Sequence, residues 1–326
     1  MTRLSLRAGL LAVAVAALPL ASTAPVAAGD PDFWSVAAQP RLAADLIALR
    51  QAQRLYLDAR EIGVSTDAGL DLLRVARQVL ESADAAHGSD PRLPFFYGRI
   101  LVDLSEDRLA VGVLADALAR AGDHPGASDA WFALAIAYAR LNDPTAEVAA
   151  YDAQLAREID PEARSVTLNN QAEGFVLAGD LDTATSKYRA ALELTPDSGL
   201  AHWGFAVTLD RSGDLFAALE EARLALVYDP DARRLRSDEV FFIPAYDKHW
   251  YLALGAMVQA KTDPDATSRL IAWEQAAVLW RKYLDDAVVT DPWVAMARAR
   301  LALCVKELGR RNTKPAPAFT SRGVRR

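Results

Sequence analysis

One cysteine in 326 residues, Cys304, excludes an internal disulfide framework and any thiolate metal cluster. Lysine is scarce too: six Lys stand beside thirty Arg, and the 43 acids outnumber the 36 basic residues for a net charge of −7. An acidic chain repels the phosphates of nucleic acid, which removes that class of partner. Glycine and proline, at 17 and 16, are too few for a collagen-like or low-complexity chain. The four histidines, His87, His124, His202 and His249, form no His-x-x-x-His pair and no His-Glu-x-x-His helix, so no metal site is expected. The Gly-x-Ser-x-Gly elbow, the phosphate-cradling glycine loop and the dinucleotide fingerprint are all missing, so no catalytic residue and no cofactor is assigned. β-Branched alternation is missing as well. What remains is a chain that is 52% apolar and rich in Ala, Leu, Arg and Glu, enough for a sizeable helical core.

The first residues have the pattern of an address. Arg3 and Arg7 precede an apolar run from Ala8 to Leu20, and small residues follow up to Ala28. This is the pattern of a secretory signal peptide over 1–28, with an apolar run too short to cross a hydrocarbon core of about 30 Å. The mature chain, 29–326, is expected to be exported to the periplasm or cell envelope without a membrane span. At the other end, 309–326 carries Arg310, Arg311, Lys314, Arg322, Arg325 and Arg326 and no acid. It reads as a basic, disordered tail, either a solvated terminus or a contact for an acidic surface.

Between these ends the chain repeats itself. Ala172, Gly179, Asp180, Leu181, Ala184, Ala191, Leu192 and Pro196 recur thirty-four residues later as Ala206, Gly213, Asp214, Leu215, Ala218, Ala225, Leu226 and Pro230. Each position has a structural task. The alanines let two antiparallel helices approach, and Gly179 and Gly213 supply the left-handed residue that stops the first helix. Asp180 and Asp214 cap the next helix, and Pro196 and Pro230 end it. An earlier copy holds Trp131, Leu134, Ala135, Tyr138, Asn142, Asp143 and Tyr151. Its second helix is expected to run about two residues longer, ending at Ile159-Asp160-Pro161. Weaker copies carry Tyr97-Gly98 with Ala110, Leu114 and Ala117, and Tyr251, Leu254 and Gly255 with Ala276, Trp280 and Tyr283.

At these residues the chain resembles the tetratricopeptide-repeat family. The resemblance implies an all-α, right-handed solenoid of antiparallel helix pairs, five or six in number. The expected organisation is a degenerate hairpin over 29–90, core repeats over 91–232, a connector over 233–247, and a degenerate repeat with a closing helix over 248–308. The connector is expected to pack along the array or to serve as a docking loop. His202 and Cys304 are expected in the core, and the acid pairs Glu220-Glu221 and Asp285-Asp286 on solvated faces.

In the family the first helix of each pair lines a concave groove that meets a peptide, so the resemblance implies a binding face here. Registering the copies places Phe95, Phe132, Asn169 and Trp203 at equivalent positions. One turn on come Arg99, Ile136, Glu173 and Val207, then Arg140 and Arg211. Asn169 suits a peptide backbone, and Trp203 and Phe132 suit apolar side chains. Phe95 and Phe132 serve equally well as packing against the neighbouring hairpin. Glu173 disturbs the basic pocket with which some relatives clamp a terminal carboxylate. The implied function is a non-catalytic exported scaffold for a peptide or protein. The alternatives are a structural subunit of a larger envelope assembly and, last, an enzyme with a cryptic site.

Overall fold

The computed structural model describes residues 39–237 and 240–312 together with the two-residue segment Leu11–Ala12. Residues 1–10, 13–38, 238–239 and 313–326, which include most of the expected signal peptide and basic tail, lie outside the described residues. Thirteen α-helices account for nearly all of the described chain. The one strand pairing among the described residues is a two-residue antiparallel bridge, β1 (Leu11–Ala12) with β2 (Val240–Phe241). The protein is an all-α array of antiparallel helix pairs.

The chain divides into two compact units, Met1–Ala201 with Arg233–Ala245, and His202–Ala232 with Tyr246–Arg326. The first unit holds four pairs in sequence order: α1 (Pro40–Ile62) with α2 (Asp67–Ser82), α3 (Arg92–Asp103) with α4 (Asp107–Ala121), α5 (Ala127–Arg140) with α6 (Pro144–Leu155), and α7 (Pro161–Ala178) with α8 (Leu181–Leu194). Helix α9 (Gly199–Arg211) starts in this unit and continues in the second. The second unit adds α10 (Leu215–Tyr228), α11 (Lys248–Thr262), α12 (Ala266–Asp286) and α13 (Val294–Asn312).

The repeat residues do what their chemistry dictates. Gly179 and Gly213 have φ of 81° and 96°, the left-handed region that stops a helix. Asn142 takes the same role in the preceding pair at φ 59°. Asp143, Asp180 and Asp214 accept backbone N–H bonds from Ala146, Thr183 and Ala217 at 3.1, 3.0 and 3.0 Å. A single apolar core runs from Ala48 to Tyr151, so each pair buries its face against the next. Gly98 is where two helices of one pair meet most closely, since a β-carbon there would overlap Leu114.

Several expectations need correction. Helix α6 ends at Leu155, not near Pro161, and Pro161 instead opens α7, with Asp160 capping it through the Ala163 N–H at 2.8 Å. The extra residues of that copy go into the connection, where Glu158 accepts the N–H groups of Ile159 and Asp160 at 2.9 Å each. Proline suits the first turn of a helix as well as the stop after one, and the Asp before it decides for a start. Tyr97 and Gly98 sit inside α3 rather than at its opening. Glu221 is not simply solvated: it pairs with buried His202 at 2.7 Å, whose ring stacks on Tyr228. Cys304 is buried as expected, and burial pushes its thiol up to about 12. Leu235 and Phe242 of the connector are buried.

Candidate functional site

Seven of the ten residues registered on the expected groove lie in the first unit, on α3, α5 and α7. Helices α3 and α5 are neighbours, so equivalent positions on them recur along one side of the stack. Phe95 is buried with its ring edge-on to His124 at 6.1 Å. Arg99 is held by Asp103 at 3.0 Å and by the Tyr56 hydroxyl at 3.1 Å, and its guanidinium lies over the Tyr56 ring. These charges raise its pKa against the opposing effect of burial. Phe132 is half-buried and meets the Tyr151 ring at 6.0 Å. Ile136 is buried. Arg140 donates to the Val102 carbonyl at 2.5 Å and to Asp107 at 3.3 Å. Asn169 donates to the Asn170 carbonyl oxygen at 3.2 Å, and Glu173 is buried on the same face one turn on.

The three in the second unit, Trp203, Val207 and Arg211, are core. Trp203 is 1% exposed, donates its indole N–H to Asp229 at 3.2 Å, and lies against Gly255, where a β-carbon would come within 2.8 Å of the ring. Arg211 is clamped between the rings of Trp250 and Trp293, with its guanidinium 4.9 and 5.2 Å from their centroids. It donates to Asp247 at 2.8 Å, and both members of that pair are 3% exposed. Asp210 accepts the Trp250 indole N–H at 2.9 Å and pairs with Arg300 at 2.6 Å. Residue type alone could not separate these roles. Tryptophan and arginine concentrate energy in a core as readily as at an interface, because both need partners on all sides.

A group that the repeat pattern left unremarked stands between α6 and α7. Glu147 is 5% exposed and its Oε1 would lie 2.9 Å from a β-carbon at Gly174. Burial alone pushes its carboxyl up to about 8. Tyr151, one turn further along α6, is fully buried, and its hydroxyl faces the Asn170 amide of α7. On the same helix the Asn169 side-chain oxygen is buried without a hydrogen-bond partner. Burial drives the Tyr151 hydroxyl well up, and the charges of Glu147 and Glu173 add to that. The signal was in the register: Ala110, Ala184 and Ala218 occupy the position that Glu147 takes in its own copy.

Among the described residues, no group of three His, Cys, Asp or Glu is placed to hold a metal ion. No helix among them is long and apolar enough to cross a membrane.

No family model matches the chain. Nor does any curated protein match it. Among solved structures, the MamA protein is similar over 60% of this chain and 96% of its own, at 13% identity and a TM-score of 0.44. YrrB, described as a TPR protein with an unusual peptide-binding site, is similar over 69% of this chain and 100% of its own, at 15% identity and 0.43. A tetratricopeptide repeat protein from Parabacteroides merdae covers 78% and is itself covered over 99%, at 14% identity and 0.43. The description of the fold rests on the chain's own helix pairing.

Proposed function

We propose that the protein is a non-catalytic exported scaffold that holds a peptide or protein against the side of the first unit formed by α3, α5 and α7. The observation that carries this reading is the recurrence of side chains at matching register on those helices: Phe95, Phe132 and Asn169, then Arg99, Ile136 and Glu173. Arg99, Phe132 and Arg140 remain part-exposed there, a mixture of arginine and aromatic surface that suits recognition. Trp203 and Arg211 act in this reading as core of the second unit and not as ligand contacts. Export is supported by the Arg3, Arg7 and Ala8 to Leu20 pattern, and sequencing the amino terminus of the protein recovered from the envelope fraction tests it.

A photoreactive residue placed at Phe132 tests the binding face, with the same residue at Ile159, which is 90% exposed in the connection before α7, as the control. A partner captured from position 132 and not from 159 supports the reading. Equal capture from both, or none from 132, overturns it.

One observation favours the structural-subunit alternative. A shallow groove between α1 and α2 is lined by Ile47, Val75 and Val79 together with Gln51, Gln78 and Ser82, and Ile47 is largely exposed. A terminal hairpin of a repeat array ordinarily turns a polar face outward. Measuring the protein's mass in solution, alone and after crosslinking in cells, separates a permanent assembly from a transient adaptor.

A further inference from the structure

The position of Glu147 conflicts with the pattern around it. In register, the other three copies place Ala110, Ala184 and Ala218 there, all fully buried. A carboxyl in an alanine slot loses its water hydrogen bonds and is costly unless something answers it. The opposing helix has made room. Gly174 stands where the neighbouring copies have Ile100, Ala137 and Thr208, and it is the smallest of the four. Room and carboxyl therefore occur together, in one copy of the repeat only.

Among the described residues, no charged group answers Glu147. The ionisable groups that meet around the Tyr151 hydroxyl are Glu147, Glu173 from α7 and Arg140 from α5. Arg140 is the single cation of that set, and its guanidinium donates to Asp107 and to the Val102 carbonyl. Burial is the sole influence on the Glu147 carboxyl. The Tyr151 hydroxyl, which faces the Asn170 amide, supplies a further acceptor one turn along α6, and Tyr151 is fully buried.

We propose that the seam between α6 and α7 is a receptor for an alkylammonium group, the lysine side chain of the peptide that the first unit holds, with Glu147 as its counter-ion. This rests on the peptide-binding reading above. Glu147 supplies the charge, and the Tyr151 hydroxyl accepts a further ammonium N–H bond. Gly174 lets the Glu147 carboxyl stand directly against α7, where any larger side chain would displace it. Without a ligand, a proton takes its place: the neutral carboxyl is the form that burial favours at pH 7. Binding then exchanges one cation for another. The ligand ammonium enters, the Glu147 proton leaves to the buffer, and the net charge of the site is unchanged.

Calorimetry of the full chain at pH 7 tests this, in two buffers of different ionisation enthalpy. The probes are a capped Ala-Lys-Ala peptide, the same peptide with norleucine for lysine, and free cadaverine. The expected result is binding of the lysine peptide with release of close to one proton, as a carboxyl at about 8 requires, and no binding of the norleucine peptide. Glu147→Ala restores the residue of the other copies, so it keeps the fold, and it is expected to weaken the lysine peptide about tenfold or more. Equal binding of the lysine and norleucine peptides, unchanged binding by Glu147→Ala, or binding without proton release each overturns the proposal. Cadaverine binding as tightly as the peptide assigns the seam to free amines and overturns the side-chain reading. Capture from position 132 does not depend on Glu147, so loss of the seam and loss of the binding face are told apart.

Discussion

A buried carboxyl with only a proton for company makes stability depend on pH in a direction opposite to the usual salt-bridged acid. Glu147 has a folded pKa near 8 against 4.5 for an ordinary Glu. Well below 4.5 the group is neutral in both states and its burial cost no longer depends on pH. As pH rises from there, the unfolded chain releases the proton while the folded chain keeps it, so stability falls until about pH 8 and then levels. The full span of that loss is on the order of a few kcal/mol. Glu147→Gln is therefore expected to raise the urea midpoint at pH 8 and to leave it nearly unchanged at pH 4.5. Equilibrium denaturation at the two pH values measures this, and a variant that is less stable at both contradicts the burial argument. Arg211 shows the reverse case. Removing it leaves Asp247 buried without its cation, and Arg211→Ala is expected to lose about 3–5 kcal/mol. Arg211→Lys should recover little, since an ammonium cannot lie flat between the rings of Trp250 and Trp293 while reaching Asp247.

At the scale of elements, the caps are the parts whose chemistry is most local. Asp180 accepts the Thr183 N–H and also its hydroxyl, at 3.0 and 2.7 Å, so Asp180→Ala is expected to cost about 1 kcal/mol by urea denaturation. Gly179→Ala forces a β-carbon into the left-handed region at φ 81°, with open space around it, and should cost about 1 kcal/mol from backbone strain alone. These elements were legible before any coordinates, because a cap or a stop is decided by two or three adjacent residues. Ala172, Gly179 and Asp180 announce a helix end and a helix start wherever they occur. The Ile159-Asp160-Pro161 step was misread because the same three residues can close one helix or open the next. The choice falls to Glu158 and Arg164, which tie up the connection; Arg164 donates to the Leu155 and Glu158 carbonyls at 2.6 and 2.8 Å. The binding residues were legible only as a register. Sequence spacing puts Trp203 on the same helical face as Asn169, but whether that face meets a ligand or Gly255 depends on a contact fifty-two residues away.

For the whole molecule, a repeat array has contacts mainly between neighbouring pairs, so a local loss of stability should be read most strongly by probes close to it. The protein carries a built-in probe for its second unit. Cys304 is the sole cysteine, fully buried on α13, and its thiol is held up near 12, so an aromatic disulfide reagent at pH 8 finds almost no thiolate in the native state. Reaction then reports opening of the helices around it. The same unit contains the Trp250 ring, edge-on to Trp280 at 4.9 Å and to Tyr283 at 5.0 Å, and the Asp210 carboxylate that joins Trp250 to Arg300 of α13. Arg211→Ala loosens the clamp on Trp250 and should bring Cys304 labelling to lower urea. Glu147→Gln, whose effect begins between α6 and α7, should shift labelling far less while moving the far-ultraviolet transition of the first unit upward. Following thiol reaction and circular dichroism across the same urea series measures both. Coincident shifts of the two probes in both variants would mean that the array unfolds as one cooperative body, and the nearest-neighbour account of its stability would have to be given up.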